Sequence, residues 1–183
     1  MKNLLTSFFL MSVVLNPFAS VSAQQKQEPS EVKKSKTELF AETAGSLIER
    51  QFMTIGSAAK IEVSVMKVRN LLTDVSYRAL RLEYGVGTRI AVLDSDEVEA
   101  LLLTIKKMND EIFSSLRPVY TEVYFRSRSG FELGAYCMAA TDYWTPYIKM
   151  DSWQSNANIF LRPRKYKQLI SLIQRAAEIT LTE

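Results

Sequence analysis

The 183-residue sequence contains no histidine and only one cysteine, Cys137. Without histidine, the chain lacks the commonest general base, the commonest metal ligand and the usual pH-sensitive side chain. A single cysteine cannot form an intramolecular disulfide, so a hydrophobic core must hold the fold together. Cys137 falls on the apolar side of a predicted strand, and we interpret it as a small buried hydrophobic residue. The sequence predicts no catalytic residue, no metal site and no cofactor.

Long apolar runs are also scarce, and the one that exists stands at the N-terminus. Lys2 precedes an apolar segment that ends at Leu15, and small residues occupy positions 21–23. This pattern is typical of a signal peptide, so we predict that residues 1–23 are cleaved off before Gln24; the alternative is an uncleaved signal anchor. No later run approaches the roughly 20 apolar residues of a membrane helix. We therefore expect an exported protein, periplasmic or extracellular, that is not an integral membrane protein after cleavage.

The segment that follows, residues 24–36, consists almost entirely of polar residues. Such a segment buries too little surface to offset the entropy lost on ordering, so we predict a disordered linker. The formal net charge of the whole chain is +3, which is too small to indicate a nucleic-acid or membrane partner. We expect residues 37–183 to form a single α+β domain.

This domain begins with a pattern of helical spacing over residues 37–56. The apolar residues that recur at this spacing are Phe40, Ala44, Leu47, Ile48, Phe52 and Ile55. Ser35 or Thr37 can cap the start, and Gly56 is suited to the end. We predict an N-terminal helix that packs on the rest of the domain.

From Lys60 onward, alternating apolar residues predict strands, and each of two groups of strands leads into a helical pattern. We divide this region into a first half, residues 60–117, and a second half, residues 118–183. The apolar residues of the two helical segments fall in register: Leu93, Val98, Leu101, Leu102 and Ile105 match Leu161, Tyr166, Leu169, Ile170 and Ile173. A capping box of Asp94 and Glu97 starts one helix, and Pro163 in the first turn starts the other. The sequence predicts an α+β fold of two similar halves, each an antiparallel sheet of three or four strands followed by a long amphipathic helix, plus the extra N-terminal helix.

This order of elements, over roughly residues 60–180, resembles the duplicated sheet-plus-helix layout of Whirly and PC4-type single-strand binders. The resemblance lies in element order alone, because no stretch of the chain resembles the nucleic-acid-contacting motif of that family. It implies a Whirly/PC4-like layout and leaves nucleic-acid binding as one alternative function.

Basic residues gather at the start of the last helix, where cations are unfavourable. They are Arg162, Arg164, Lys165 and Lys167, and their counterparts in the first half are Asp94, Asp96, Glu97 and Glu99. The reversal of sign has three interpretations: ion pairs between the halves or between two copies of the chain, an anion-binding site, or a solvated face without a role.

Aromatic residues are concentrated in the second half: Tyr120, Tyr124, Tyr136, Tyr143, Trp144, Tyr147 and Trp153. If helices cover one face of the sheet, alternation leaves Tyr120, Tyr124 and Arg126 on the other face, where aromatic rings can stack on a ligand. The alternative is a second face that is covered too.

We therefore expect a non-catalytic exported module that binds a partner protein or an envelope polymer and that could also form a homo-oligomer. The expected binding residues are Tyr120, Tyr124, Arg126, Trp144, Trp153, Arg162, Arg164, Lys165 and Lys167. One alternative is a small exported hydrolase, for example a glycan-cleaving enzyme with paired carboxylates. The other alternative is a nucleic-acid binder, although we do not expect nucleic acid as the partner of an exported chain.

Overall fold

The structure is a computed structural model that describes residues 33–85, 89–139, 141, 143–151 and 157–182. The predicted signal peptide and most of the predicted linker lie outside these residues. In chain order the elements are α1 (Lys36–Ala41), β1 (Ile48–Ala58), β2 (Ile61–Asn70), β3 (Ser76–Tyr84), β4 (Arg89–Asp94), α2 (Ser95–Lys107), β5 (Thr121–Arg126), β6 (Glu132–Cys137), β7 (Trp144–Lys149), β8 (Ile159–Phe160) and α3 (Pro163–Thr180).

Two four-stranded antiparallel sheets form the framework. The first has the strand order β1-β2-β3-β4 and the second the order β5-β6-β7-β8, so consecutive strands are neighbours. Helix α2 follows the first sheet, and α3 follows the second. The predicted α+β class is confirmed, and four strands followed by a helix occur twice.

The larger of two hydrophobic clusters among the described residues contains residues from both sheets and from both long helices, and the smaller one lies between α1 and the other face of the first sheet. In β2, for example, Ile61, Val63 and Val65 are buried on one side of the strand, as the alternating pattern predicts. Cys137 is fully buried in the same core. Although α3 follows the second sheet, it packs against β1, β2 and β3 of the first sheet. The two halves therefore share one core instead of folding around two.

The predicted helix over residues 37–56 is wrong for most of its length. Helix α1 ends at Ala41, and most of the remaining segment belongs to β1. The predicted cap is present, because Ser35 Oγ accepts the Glu38 N–H at 3.1 Å and the Ser35 N–H donates to Glu38 Oε2 at 2.9 Å. Beyond the turn after α1, the backbone pairs along the whole of β2, and this long-range pairing outweighs the local helical spacing. The first half thus begins at Ile48 and not at residue 60.

Gly56, which we expected to end that helix, lies inside β1 and lets α3 approach the strand. The pairing of β1 with β2 shifts register between Thr54 and Gly56, where the φ of Gly56 is +156°. A Cβ atom at this position would lie 2.9 Å from Leu172 Cδ2 of α3. Glycine therefore provides the space in which α3 packs on the edge of the first sheet.

Both long helices begin where the sequence predicts. The capping box at the start of α2 is present, and α3 carries Pro163 in its first turn. Helix α2 stops at Lys107, and one π-helical turn follows over Met108–Ile112. Such a turn rotates the side chains that follow it around the helix axis. Within the described part of the chain, no helix is both long enough and apolar enough to cross a membrane.

Candidate functional site

The second sheet has one face in the core and one face directed away from it. Side chains alternate along a strand, so Leu133, Ala135 and Ile148 enter the core. We call the opposite surface the outer face. Its residues are Glu122, Tyr124 and Arg126 of β5, Glu132, Gly134 and Tyr136 of β6, Thr145, Tyr147 and Lys149 of β7, and Phe160 of β8. Tyr120 precedes β5 and contacts this face through Tyr136.

Three aromatic rings form a row across the outer face. The ring centroids of Tyr120 and Tyr136 are 6.1 Å apart, and those of Tyr136 and Phe160 are 6.0 Å apart. Tyr120 is 56% exposed, Phe160 is 58% exposed and the neighbouring Tyr124 is 51% exposed. Because these rings are large and apolar but remain in contact with water, they offer a surface on which a flat or apolar ligand can stack. Of the two alternatives for this face, the open one applies to Tyr120, Tyr124 and Arg126.

Tyr147 lies across the middle of the outer face because Gly134 beside it has no side chain. A Cβ atom on Gly134 would lie 2.8 Å from the Cζ atom of Tyr147 and 2.7 Å from the Val123 carbonyl oxygen. The Tyr147 hydroxyl passes over β6 and donates a short hydrogen bond to Glu122 Oε1 on β5. Burial, together with this bond, raises the pKa of Tyr147 well above 10.0. Tyr147 therefore stays neutral and forms a rigid floor for the face.

The charged groups of the outer face neutralise one another. Glu132 is only 1% exposed, and its carboxylate accepts from Arg126 Nε at 2.6 Å and contacts Lys149 Nζ at 3.1 Å. The same two cations lie over aromatic rings: Arg126 over Tyr124 at 5.1 Å, and Lys149 over Tyr147 at 5.7 Å. Two cations and the carboxylates of Glu132 and Glu122 leave the face without formal net charge. A polyanion would therefore have to compete with carboxylates already bound to these cations.

The predicted binding residues do not all belong to this face. Trp144 lies on the core side of β7, where it is 6% exposed and donates its indole N–H to the Ser115 carbonyl oxygen at 2.9 Å. Trp153 lies outside the described residues. The four basic residues, Arg162, Arg164, Lys165 and Lys167, are exposed at the start of α3. The structure thus brings Tyr120, Tyr124 and Arg126 together and separates Trp144 from them.

The acidic residues at the start of α2 are paired with a residue that the sequence pattern did not single out. Arg128, in the turn between β5 and β6, donates through Nη2 to Asp94 Oδ2 at 2.7 Å and to Asp96 Oδ1 at 2.8 Å, and it lies 3.2 Å from Glu97 Oε2. Among the described residues, no ion pair joins these acids to Arg162–Lys167, so ion pairing between the halves, one of the three interpretations, is not what engages the acids within one chain. No local pattern indicates this role of Arg128, because the acids that it binds lie more than 30 residues earlier in the chain.

The same acids join α1 to α2. The Asp94 carboxylate accepts the N–H groups of Lys36 at 2.7 Å and Thr37 at 2.9 Å, as well as the Thr37 hydroxyl at 2.7 Å. Burial would raise the pKa of Asp94, but the hydrogen bonds from Thr37 and Arg128 outweigh it, so the pKa lies below 3.8. The Arg128 hydrogen bond likewise lowers the pKa of Asp96. These carboxylates are ionised and fully engaged, as in a structural joint and not as in a catalytic acid–base pair.

Comparison with known proteins gives no information about this site, so its geometry is the basis for interpretation. No family model, no curated protein and no solved structure matches this chain. Among the residues that the structure describes, no group of three or more cysteine, aspartate or glutamate side chains could hold a metal ion. The outer face of the second sheet is therefore the candidate binding surface.

Proposed function

We propose that this protein is a non-catalytic exported module that binds an envelope polymer through the outer face of its second sheet. The observation that carries the proposal is the row formed by Tyr120, Tyr136 and Phe160, with Tyr124 exposed beside it. Rings arranged on a rigid sheet stack on flat ligands at little cost in conformational entropy. Export of the chain, which we infer from its N-terminal sequence, would place this face in contact with envelope polymers.

A glycan with little charge fits this face better than a nucleic acid does. The apolar side of a sugar ring can stack on an exposed tyrosine or phenylalanine, and the tyrosine hydroxyls can bind the sugar hydroxyls. Nucleic-acid binding depends on cations that are free to replace counterions on phosphates. Here Arg126 and Lys149 already bind Glu132. We therefore place nucleic acid below a glycan as the polymer.

A hydrolytic function draws less support from the geometry. A glycan-cleaving enzyme needs two carboxylates that face each other across a cleft, with one of them free to donate a proton. The buried acids Asp94 and Glu97 are held by hydrogen bonds from the backbone and from Arg128. On the outer face, Glu122 binds Tyr147 and Glu132 binds two cations. Binding without cleavage is therefore the function that we favour.

A partner protein is the second candidate, and one observation favours it. Strand β1 forms an edge of the first sheet, and its residues Phe52 and Met53 are 55% and 54% exposed. Below this edge lies a groove of about 850 Å³ that reaches Ile179 of α3. An exposed apolar edge strand can pair with a strand from another chain or from a second copy of this one. A measurement of molecular mass in solution, with and without Phe52→Lys, tests the second copy.

Retention on insoluble glycans tests the main proposal. The mature chain is mixed with cellulose, chitin or purified peptidoglycan, and the bound fraction is measured by sedimentation. We expect one glycan to retain it and Phe160→Ala or Tyr124→Ala to reduce the affinity roughly 2- to 12-fold each, because a lost aromatic contact costs about 0.5–1.5 kcal/mol. Phe52→Ala is the matched control, since Phe52 has nearly the exposure of Phe160 but lies on the first sheet.

Salt and competing polymers decide between the alternatives. Stacking on a neutral glycan should survive 1 M salt, a concentration chosen because the screening length falls to about 3 Å. Binding to single-stranded DNA that disappears as salt rises would support the nucleic-acid alternative. If none of the three glycans retains the chain, or if Phe52→Ala weakens retention as much as Phe160→Ala does, the glycan proposal is wrong.

The internal repeat also remains a proposal, and the positions of its matched residues support it. Helix starts and apolar stripes correspond in the two halves, and the matched pairs Leu93 with Leu161, Leu101 with Leu169 and Ile105 with Ile173 are all buried. Val98 and Tyr166 are buried too, whereas Leu102 is half-buried and its counterpart Ile170 is buried, so four of the five matched pairs have matched environments. We propose that the halves are related repeats with a Whirly/PC4-like order of elements. The residues of the outer face, and not the order of elements, would then determine which ligand binds.

A further inference from the structure

A separate cavity lies on the core side of the second sheet, next to the start of α3. Its volume is about 240 Å³, and its walls include four aromatic rings, two prolines, one amide and one lysine. The residues that matter for its chemistry are Asn109, Phe113, Tyr143, Trp144, Tyr166 and Lys167. The outer face lies on the other side of this sheet, so the cavity is independent of the proposed glycan surface.

The aromatic walls are mostly fixed. Phe113 and Tyr166 meet edge to face, with centroids 5.4 Å apart and an angle of 79° between the rings. Trp144 and Tyr166 are buried, whereas Tyr143 is 60% exposed and borders the opening. The π-helical turn after α2 contains Asn109 and precedes Phe113, so this local irregularity directs both side chains toward the cavity. The result is a preformed apolar pocket with an exposed aromatic ring at its mouth.

The polar groups on the two buried aromatic walls are already hydrogen-bonded. The Trp144 indole N–H binds the Ser115 carbonyl oxygen at 2.9 Å, and the Tyr166 hydroxyl donates to Asn109 Oδ1 at 3.4 Å. A sugar would therefore find few hydrogen-bond partners inside. Lys167 lies at the opening and is exposed, and no described residue of the chain forms an ion pair with its ammonium group.

Charge at the opening is positive. No aspartate or glutamate is among the residues that line the cavity. Arg164 and Lys167 line the adjoining groove of about 570 Å³, which also contains no acid. Aromatic pockets that bind cations combine their rings with an electrostatically favourable surround; here the two basic side chains would repel a cation and attract an anion.

We propose that this pocket binds a planar ring that carries an anionic group, with the ring between Tyr143 and the buried walls and the anion at Lys167. Pockets for drug-sized ligands measure about 300–1,000 Å³, so 240 Å³ suits one ring system and not a polymer segment. The ligand is an aromatic carboxylate, either a free acid or the C-terminal aromatic residue of another chain. Both sources present the same ring and the same charge.

Calorimetric titration with N-acetyltryptophan and with its uncharged analogue N-acetyltryptophanamide tests the proposal on the mature chain. We expect the acid to bind roughly two- to fivefold more tightly than the amide, as an exposed ion pair allows. Lys167→Gln should abolish this difference, and Tyr143→Ala should weaken both probes about threefold to tenfold. Lys165→Gln is the control, because Lys165 lies on the same helix but its ammonium binds Gln168 at 3.2 Å. All three replaced side chains are exposed, so these variants are expected to stay folded.

The proposal is overturned if neither probe shows saturable binding up to about 10 mM, which corresponds to a negligible affinity. It is equally overturned if Lys167→Gln and Tyr143→Ala bind both probes as the unchanged chain does. N-acetyl-Ala-Ala-Trp with a free carboxylate identifies the source of the ligand. Tighter binding of the peptide than of N-acetyltryptophan supports a chain terminus, and weaker binding supports a free acid.

Discussion

Replacement of Arg128 by methionine tests how the two halves are held together. The Arg128 guanidinium reaches Asp94, Asp96 and Glu97 at 2.7 to 3.2 Å. The side chains of Asp94 and Glu97 are each 7% exposed, so removal of the cation leaves two buried carboxylates without a counter-ion. Methionine keeps most of the volume and the apolar stem, which restricts the change to the charge and its hydrogen bonds.

The magnitude follows from burial. Removal of one partner from a fully buried ion pair costs about 3–5 kcal/mol. Arg128 is 36% exposed, so water replaces part of the interaction, and Asp94 keeps its hydrogen bonds to α1. We therefore expect a loss of about 2–3 kcal/mol in the free energy of unfolding. The stability of Arg128→Lys should lie between that of the unchanged chain and that of Arg128→Met, because one ammonium cannot reproduce the forked contact of the guanidinium.

Urea denaturation at two pH values supplies the assay and its control. Hydrogen bonds from Thr37 and then Arg128 hold the pKa of Asp94 below 3.8, and the Arg128 hydrogen bond lowers the pKa of Asp96. The stabilisation from these ionised carboxylates is therefore complete above pH 3.8 and is lost as the pH falls through the lower folded-state values. The cost of Arg128→Met should thus be largest near pH 7 and smaller near pH 3. Arg164→Met, at an exposed arginine, should cost less than about 0.5 kcal/mol. If Arg128→Met costs equally little, or if its cost does not change with pH, then Arg128 does not hold the two halves together through these carboxylates.

Three further predictions concern the sheets. Gly134→Ala should lower the free energy of unfolding by about 1–3 kcal/mol, because a Cβ atom would meet Tyr147 at 2.8 Å; urea denaturation showing no loss contradicts this. Glu122→Gln should lower the pKa of Tyr147, which burial and the Glu122 bond now raise above 10.0, as an ultraviolet titration would detect. A tyrosine whose pKa is raised in the folded state stabilises the fold below about pH 10, and this stabilisation is lost as the pH rises through the folded-state pKa. The unchanged chain should therefore lose more stability in alkali than Glu122→Gln does. Gly56→Ala should destabilise by about 1 kcal/mol and less so in a Leu172→Ala background, where the space above the strand is larger.

Much of the fold could be predicted because its elements carry local signals. The alternation of Ile61, Val63 and Val65 with polar residues marks the start of β2, and the capping box and Pro163 mark both long helix starts. Strand β1 gave no such signal, since its residues from Gln51 to Thr54 are all exposed on an edge of the sheet. Its apolar residues also fit a helical spacing, so the error could be removed only by knowing that β2 supplies a partner.

The candidate site was predictable where one strand determines it. Alternation along β5 separates Tyr124 and Arg126 from Val123, so the exposed side followed from the pattern. Strand β7 carries aromatic residues on both sides, and only the pairing of Cys137 with Trp144 shows that Trp144 faces the core. Arg128 required three-dimensional information of the same kind, because its partners lie more than 30 residues away.

The opposite charges at the two helix starts acquire different meanings from their surroundings. At the start of α2, the acids are enclosed by α1 and by the turn that carries Arg128, so this position is occupied by structure. At the start of α3, the four basic residues remain exposed. Lys167 borders the aromatic pocket, and Arg164 and Lys167 border its adjoining groove. Retaining cations at a helix start is unfavourable for the helix, and residues that contradict a local preference often serve a ligand. The first half therefore uses its helix start to hold the halves together, and we infer that the second half keeps the equivalent position for binding.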